Sequence, residues 1–179
     1  MVFYIKDINN KGITQMKILG YKCTDINRIA KRIIELADNT ATVVLYSSGT
    51  GEDDIPDRIN SIGMHSNTFC VKYDDLNHVR GMLDGLNAVS NIVFITPIIQ
   101  EHTPSVRRGN TEHVAETLHQ HRMQVKDIHL TINLLKSSPA NLFVISYAYQ
   151  DVSITGKVYA IAGLKPYVTA TNVELCFDS

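Results

Sequence analysis

The 179-residue sequence contains no tryptophan, few prolines and few cysteines, and it has almost no charge imbalance. Its 17 basic and 18 acidic residues give a formal net charge of −1. Proteins that bind nucleic acid or anionic membranes are usually basic, so composition indicates neither partner. No apolar run approaches the roughly 18 residues that a membrane-spanning helix needs. We therefore expect no membrane association.

The three cysteines, Cys23, Cys70 and Cys176, are far apart in the chain. An odd number of cysteines without a CxxC motif argues against a disulfide framework, and no Cys–His pair has the spacing of a metal site. The segment 1–7 also lacks the basic and long apolar parts of a signal peptide. We expect free thiols, no bound metal or cofactor, and a cytoplasmic location.

The residues that are present describe a globular protein, with 44% hydrophobic and 20% charged side chains. We find no linker, internal repeat or low-complexity segment, so residues 1–179 are predicted to form a single domain. Isoleucine and asparagine are favoured over alanine. This bias is typical of AT-rich genomes, such as that of a low-GC bacterium or a phage.

Strand and helix patterns alternate along residues 1–138. This alternation predicts an α/β fold with a mainly parallel mixed sheet and helices on its faces. Segments 42–47, 69–73 and 92–99 are apolar almost throughout, so we expect them to be neighbours in the parallel sheet. The predicted strands are 2–6, 13–21, 42–47, 69–73, 92–99 and 127–135, and the predicted helices are 25–37, 53–63, 75–86 and 110–123.

The pattern changes after Pro139, because three strand candidates follow each other with no helix between them. Segments 142–149, 152–162 and 168–177 are joined by short turn sequences, which predicts an antiparallel three-strand meander over residues 139–179. This part is rich in tyrosine, a residue that combines apolar area with a polar group and is common at protein interfaces. The interface candidates are Tyr147, Tyr149, Tyr159 and Tyr167.

Apolar and polar residues alternate in DIHLTINLL, residues 127–135, which predicts a strand with His129 and Thr131 on its polar face. His129-Leu130-Thr131 resembles one H-x-T repeat of the 2H phosphoesterases. The resemblance implies His129 as a general acid or base and Thr131 as a phosphate ligand. That family uses two such repeats, and position 40, where a second histidine is required, is a threonine. The alternative is a strand face that only meets water.

The sequence SSGTG, residues 47–51, follows a buried strand and precedes a helix. Small residues in this position let backbone N–H groups face an anion. The segment is similar to the phosphate loop of flavodoxins, which implies Ser48 and Thr50 as anion-binding residues. Glu52, Asp53 and Asp54 follow, and their charges repel phosphate. A capped loop and a divalent-cation site are the alternatives.

Basic and histidine residues are concentrated in 102–113, after the predicted strand 92–99. Parallel sheets bind ligands at the carboxyl ends of their strands, so Arg107, Arg108 and His113 are candidates for binding an anion there. No two histidines have the i, i+4 spacing of a helical metal site. The alternative is a solvated, pH-sensitive exterior.

Two functional hypotheses follow. The first is a non-catalytic intracellular interaction or assembly protein, of phage or viral origin, with a protein partner or a second copy of itself. The second is a phosphoester-directed hydrolase or nucleotide-binding protein that uses loops 47–54 and 102–113 with His129 and takes a small phosphate-containing ligand. Convergence of those segments on one cleft would favour the second.

Overall fold

The computed structural model describes residues 16–21, 26–47, 54–62, 67–97, 111–153, 156–161, 164–169 and 171–176. For residues 111–122, 147–153, 156–161 and 176 it describes the backbone alone. The predicted strand at 2–6 lies outside these residues. Among the described helices, none is both long and apolar enough to cross a membrane.

Strands and helices alternate through most of the described chain, as the sequence predicts. The strands are β1 (Met16–Tyr21), β2 (Thr42–Tyr46), β3 (Thr68–Lys72), β4 (Asn91–Ile95), β5 (Asn141–Ser153), β6 (Gly156–Ile161) and β7 (Val173–Cys176). The helices are α1 (Ile26–Ala37), α2 (Ile55–Ile62), α3 (Leu76–Leu86) and α4 (Thr111–Leu135), and a single 3-10 turn covers Lys165–Tyr167.

Six strands form one parallel sheet in the order β3-β2-β4-β5-β1-β7. The α/β prediction and the predicted neighbourhood of β3, β2 and β4 are confirmed. Strands β2 and β4 are buried along nearly their whole length. Strand β3 differs, because it lies at the edge and its Phe69 is 55% exposed. Its apolar sequence therefore does not reflect burial on both faces.

Helices cover both faces of the sheet. On one face, α1 and α2 pack through Ile33 and Ile59 against the inner strands. On the other face, α3 and α4 pack through Val79 and Ile132. Connections that run toward β3 cross the first face, and those that run toward β7 cross the second, as a single crossover hand requires. The result is a three-layer α/β/α structure.

The order β3-β2-β4-β5-β1 equals the 2-1-3-4-5 order of flavodoxin-type doubly wound sheets, with one difference. The fifth position is filled by β1, which precedes the other strands in the chain. Strand β2 therefore takes the place that the first strand has in those sheets. The segment after β2 is the one that the sequence compares with a flavodoxin phosphate loop.

The predicted mixed sheet with an antiparallel C-terminal meander is wrong. Its first strand, β5, is a central strand that is parallel to both β4 and β1, and its last strand, β7, is parallel to β1. Leu164, on the link to β7, is fully buried in the core under α4. The link thus returns along the face of the sheet, so that β7 starts again at the amino edge, where Ile18 N donates to Asn172 O at 2.7 Å. The short turn sequences after Pro139 do not show that the chain returns along the face of the sheet.

The second half of β5 extends past the parallel pairing. Residues Ala148–Ser153 pair antiparallel with Gly156–Ile161 of β6, and β6 has no other partner strand among the described residues. Six residue pairs span about 20 Å. This hairpin, called the arm below, stands beyond the carboxyl edge of the parallel sheet.

The predicted strand at 127–135 is also wrong, because these residues complete the 25-residue helix α4. Ile128, Ile132 and Leu135 are buried at helical spacing i, i+4, i+7. Leu130, which belongs to the apolar face of the predicted strand, is 41% exposed. The segment satisfies both periodicities over a few residues, and the helix that precedes it decides between them.

A pair of substitutions distinguishes the helix from the predicted strand at residues 127–135. In the helix, Ile132→Ala leaves a cavity in the core and is expected to cost about 2–5 kcal/mol of unfolding free energy. Leu130→Ala is expected to stay within about 0.5 kcal/mol, because Leu130 lies on the outer side. Urea unfolding followed by circular dichroism measures both. A strand would make the two costs similar.

Candidate functional site

The carboxyl ends of β2 and β4 lie side by side at the centre of the sheet, with Leu45 in register with Phe94. The chain leaves β2 for α2 on one face and leaves β4 for α4 on the opposite face. In doubly wound sheets, a crevice opens where neighbouring strands send their connections to opposite faces, and ligands bind there. This crevice, called the β2–β4 crevice below, is the first candidate site.

The connections that contain the predicted anion-binding residues start at this crevice. Residues 47–54, with Ser48 and Thr50, join β2 to α2, and residues 96–110, with Arg107 and Arg108, join β4 to α4. These four residues lie outside the described ones. His113 belongs to the first turn of α4, where the backbone alone is described. Topology thus places the starts of the two connections together.

The described side chains nearest to the crevice are mostly hydroxyl-bearing. Thr96, just past β4, is buried, and its Oγ1 lies 3.1 Å from the carbonyl oxygen of Ile145 and 3.1 Å from Oγ of Ser146. Ser47, just past β2, is half-buried. Since buried hydroxyl groups need partners, Thr96 and Ser146 fix the carboxyl end of β4 relative to the middle of β5.

Acidic residues lie at the start of α2. Asp54 precedes the helix and Asp57 lies in its first turn. Carboxylates at a helix N-terminus interact favourably with its dipole and reduce the attraction of that terminus for a second anion. Binding of phosphate at the crevice would therefore depend on the arginines of the neighbouring segment.

A second crevice lies between β5 and β1. The chain leaves β1 for α1, on the face opposite to that of Leu164, which follows the arm. The connection after β1, residues 22–25, is short and lies outside the described residues. Its sequence, KCTD, contains one cationic residue, Lys22.

His129 and Thr131 lie far along α4 from the β2–β4 crevice. His129 lies 18 positions after Thr111 in the helix, a rise of about 27 Å. Thr131 is buried, and its Oγ1 donates to the carbonyl oxygen of Asp127 at 2.8 Å, a bond within the helix. The structure therefore does not bring these two residues to the segments with which they were grouped.

His129 instead belongs to a cluster with Tyr167. The two rings meet edge to face, with centroids 5.1 Å apart. The Tyr167 hydroxyl lies 3.0 Å from Asn133 Oδ1 and 3.2 Å from the His129 carbonyl oxygen, and Lys136 Nζ is 5.8 Å from its ring centroid. Burial raises the pKa of Tyr167, and the bond to Asn133 acts in the opposite direction. Tyr167 thus holds the 3-10 turn against α4.

The other interface candidates lie on β5 and β6. Tyr147 is in register with Tyr21 of β1, while Tyr149 and Tyr159 pair in the arm with Ala160 and Gln150. The structure describes only the backbone of Tyr147, Tyr149 and Tyr159. Two of the four tyrosines are thus in the arm.

The sequence missed an ion-pair cluster that attaches β7 to α1. Arg32 donates through Nε and one terminal nitrogen to both carboxylate oxygens of Glu174, at 2.8–3.1 Å, and through its other nitrogen to Glu35 at 2.8 Å. Lys17 Nζ lies 3.9 Å from Glu174. Only the i, i+3 spacing of Arg32 and Glu35 was visible in the sequence. Parallel pairing of β7 with β1 could not be inferred from it.

Among the described residues, no group of three His, Cys, Asp or Glu side chains could hold a metal ion. No protein-family model matches the chain, and no curated protein matches its sequence.

The thiol of Cys70 gives a test of packing beside α2. Cys70 is unpaired and half-buried, as predicted, and burial raises its pKa from 9.0 to about 11. Because the thiolate is the reactive form, alkylation near pH 8 is expected to be about 100-fold slower than in the unfolded chain. The rate in the folded protein should keep rising from pH 9 to 11. Iodoacetamide labelling with mass spectrometry, on a Cys23→Ser/Cys176→Ser variant, measures this. Equal rates in folded and unfolded chains would contradict it.

Proposed function

We propose that the protein binds a small phosphate-containing ligand, such as a nucleotide, in the β2–β4 crevice. The observation that carries the proposal is the pairing of β2 with β4. The connection that contains Ser48 and Thr50 and the connection that contains Arg107 and Arg108 start on these neighbouring strands, at the edge where doubly wound sheets bind ligands.

The two segments supply complementary chemistry. Ser48, Thr50 and the backbone around Gly49 and Gly51 offer neutral donors for phosphate oxygens, and Arg107 and Arg108 offer charged ones. The carboxylates that precede α2 disfavour a bare phosphate. We therefore expect tighter binding of a nucleotide with Mg²⁺ than without it, since the cation offsets part of that repulsion.

Isothermal titration with inorganic phosphate and with mono-, di- and triphosphate nucleotides, each with and without Mg²⁺, tests the proposal. In Arg107→Ala/Arg108→Ala, affinity is expected to fall at least about tenfold, because a hydrogen bond to a charged group contributes about 1.5–3 kcal/mol. The matched control is Arg80→Ala/Lys165→Ala, which makes the same change in net charge at two exposed positions outside the crevice.

Two results would contradict the proposal. One is the lack of binding by the wild-type protein to every member of the panel. The other is equal loss of affinity in the control, which would indicate a general effect of charge. A Lys22→Ala variant separates the two crevices, because loss of binding in that variant alone would place the ligand between β5 and β1.

We also propose a role in assembly, which the arm favours. An isolated two-stranded hairpin is marginal in water and presents unpaired backbone groups along both edges. Beyond the parallel sheet, β6 pairs with β5 only, within the described residues. Contact of the arm with other copies of the chain would satisfy these groups and bury Tyr149 and Tyr159. A cytoplasmic location and a phage or viral origin belong to the same proposal.

An armless variant tests the assembly role. Replacing residues 149–160 with Asn-Gly joins Ala148 to Ile161 by a two-residue turn that suits antiparallel strands. The variant is expected to keep its cooperative thermal unfolding and to form smaller assemblies than wild type in sedimentation velocity. Equal assembly sizes for the two proteins, or a wild-type chain that is monomeric at every concentration, would contradict this role.

A further inference from the structure

Strand β3 forms one edge of the sheet and carries the most exposed large apolar side chain among the described residues. Phe69 is 55% exposed. Its register partner Val43 and its same-face neighbour Val71 belong to the core on the α3 and α4 side, so Phe69 lies on that face. Ile62, on the last turn of α2 across the sheet, is 41% exposed. Phe69 thus presents exposed apolar surface at this edge.

The sequence of strand β3 carries little of the usual protection against pairing. Natural edge strands are protected by proline, bulges or central charges. The sequence of β3 is TFCVK, with its single charge, Lys72, at the end. Among the described residues, β3 pairs with β2 alone, which leaves the second row of its backbone groups without a strand partner. Such an edge is suited to accept another strand.

We propose that two copies of the chain associate through their β3 strands, antiparallel and centred on Cys70, to form a twofold dimer with one continuous sheet. In this register Phe69 of each copy faces Val71 of the other, and Thr68 faces Lys72. Aromatic and β-branched residues on directly opposite positions stabilise antiparallel pairs. The twofold axis pairs the β3 edge of each copy with the β3 edge of the other, so neither β3 edge is left to bind a third copy.

A second copy fits this edge because the strand is complementary to itself. Antiparallel pairing about Cys70 places the two Lys72 residues at opposite ends of the paired strands, about 13 Å apart, beyond the screening length at physiological salt. It brings the Phe69–Val71 face of one copy beside the same face of the other. With the twofold axis perpendicular to the sheet, α2 of each copy stays on the same face of the continuous sheet.

The opposite edge is less suited to such pairing. Strand β7 has four residues, and its Glu174 is engaged by Arg32 of α1. A charge in the middle of a short edge strand disfavours pairing with another copy. Of the two edge strands, β3 is therefore better suited to pair with a second copy.

Sedimentation equilibrium of wild type, Phe69→Glu and Leu130→Glu tests the dimer. Leu130 is the matched control, because it is an exposed apolar residue on α4, away from the β3 edge. On dilution, we expect a dimer to be the smallest species of wild type and of Leu130→Glu, and a monomer, or an at least tenfold weaker dimer, to be the smallest species of Phe69→Glu. A monomeric wild type, or a Phe69→Glu variant that dimerises like wild type, would overturn the proposal. Circular dichroism checks that each variant is folded.

Disulfide trapping tests the register. In a chain with serine at positions 23, 70 and 176, Thr68→Cys and Lys72→Cys are introduced into separate samples. Directly opposite positions in an antiparallel pair have Cα atoms about 4.5–5.5 Å apart, within disulfide range. Oxidation of the mixed samples should give crosslinked dimers, and oxidation of either sample alone should give few. Equal crosslinking in all samples would overturn the register. Neither test depends on ligand binding. The first follows the smallest species and the second follows residues of β3 itself, so failure here is distinct from failure of the arm proposal.

Discussion

The need to cover both faces of three adjacent strands determines most of this structure. Residues of β2, β4 and β5 are buried toward both helical layers, with Val44 and Val93 on one side and Leu45 and Phe94 on the other. Strands buried on both faces require helices on each side, and helices on each side require crossovers in both directions along the sheet. The reversal in direction at β2 and β4 creates the crevice. The candidate binding site is thus a consequence of core packing.

A polar ladder at the other end of these strands fixes their register. Asn91 is buried and donates through Nδ2 to Thr40 and Thr42, while Asn141 donates to its Oδ1 at 3.1 Å. Thr42, Asn91 and Asn141 are register partners across β2, β4 and β5. A one-residue slip of any strand would break these bonds and turn its apolar side chains over. Amide side chains thus fix β2, β4 and β5 at their amino ends, and the hydroxyl groups of Thr96 and Ser146 join β4 to β5 further along.

The sequence predicted the parts of the fold that depend on local pattern. Helix α1, the apolar strands β2 and β4 and their adjacency followed from periodicity and hydrophobic runs. Sequence patterns did not predict the parts of the fold that depend on contacts between residues far apart in the chain. Ile128 to Leu134 fit a strand as well as a helix until the preceding turns of α4 are included, and β7 takes its direction from a link that crosses the sheet. For the site, residue types in the sequence indicated the two loops, but only the strand order shows that the connections containing them start side by side. His129 was included because residues 127–135 were predicted to be a strand, and they are part of a helix.

Strand β5 has a mechanical consequence because one continuous element serves two regions. Its first seven residues are held between β4 and β1 at the centre of the sheet, and its last six form half of the arm. A load applied to the arm along the strand direction would act as shear on two rows of parallel hydrogen bonds together, which resist it collectively. A load applied across the arm would act on the hairpin pairs one after another. The protein is therefore stiff to pulling along β5 and compliant to bending of its projecting end.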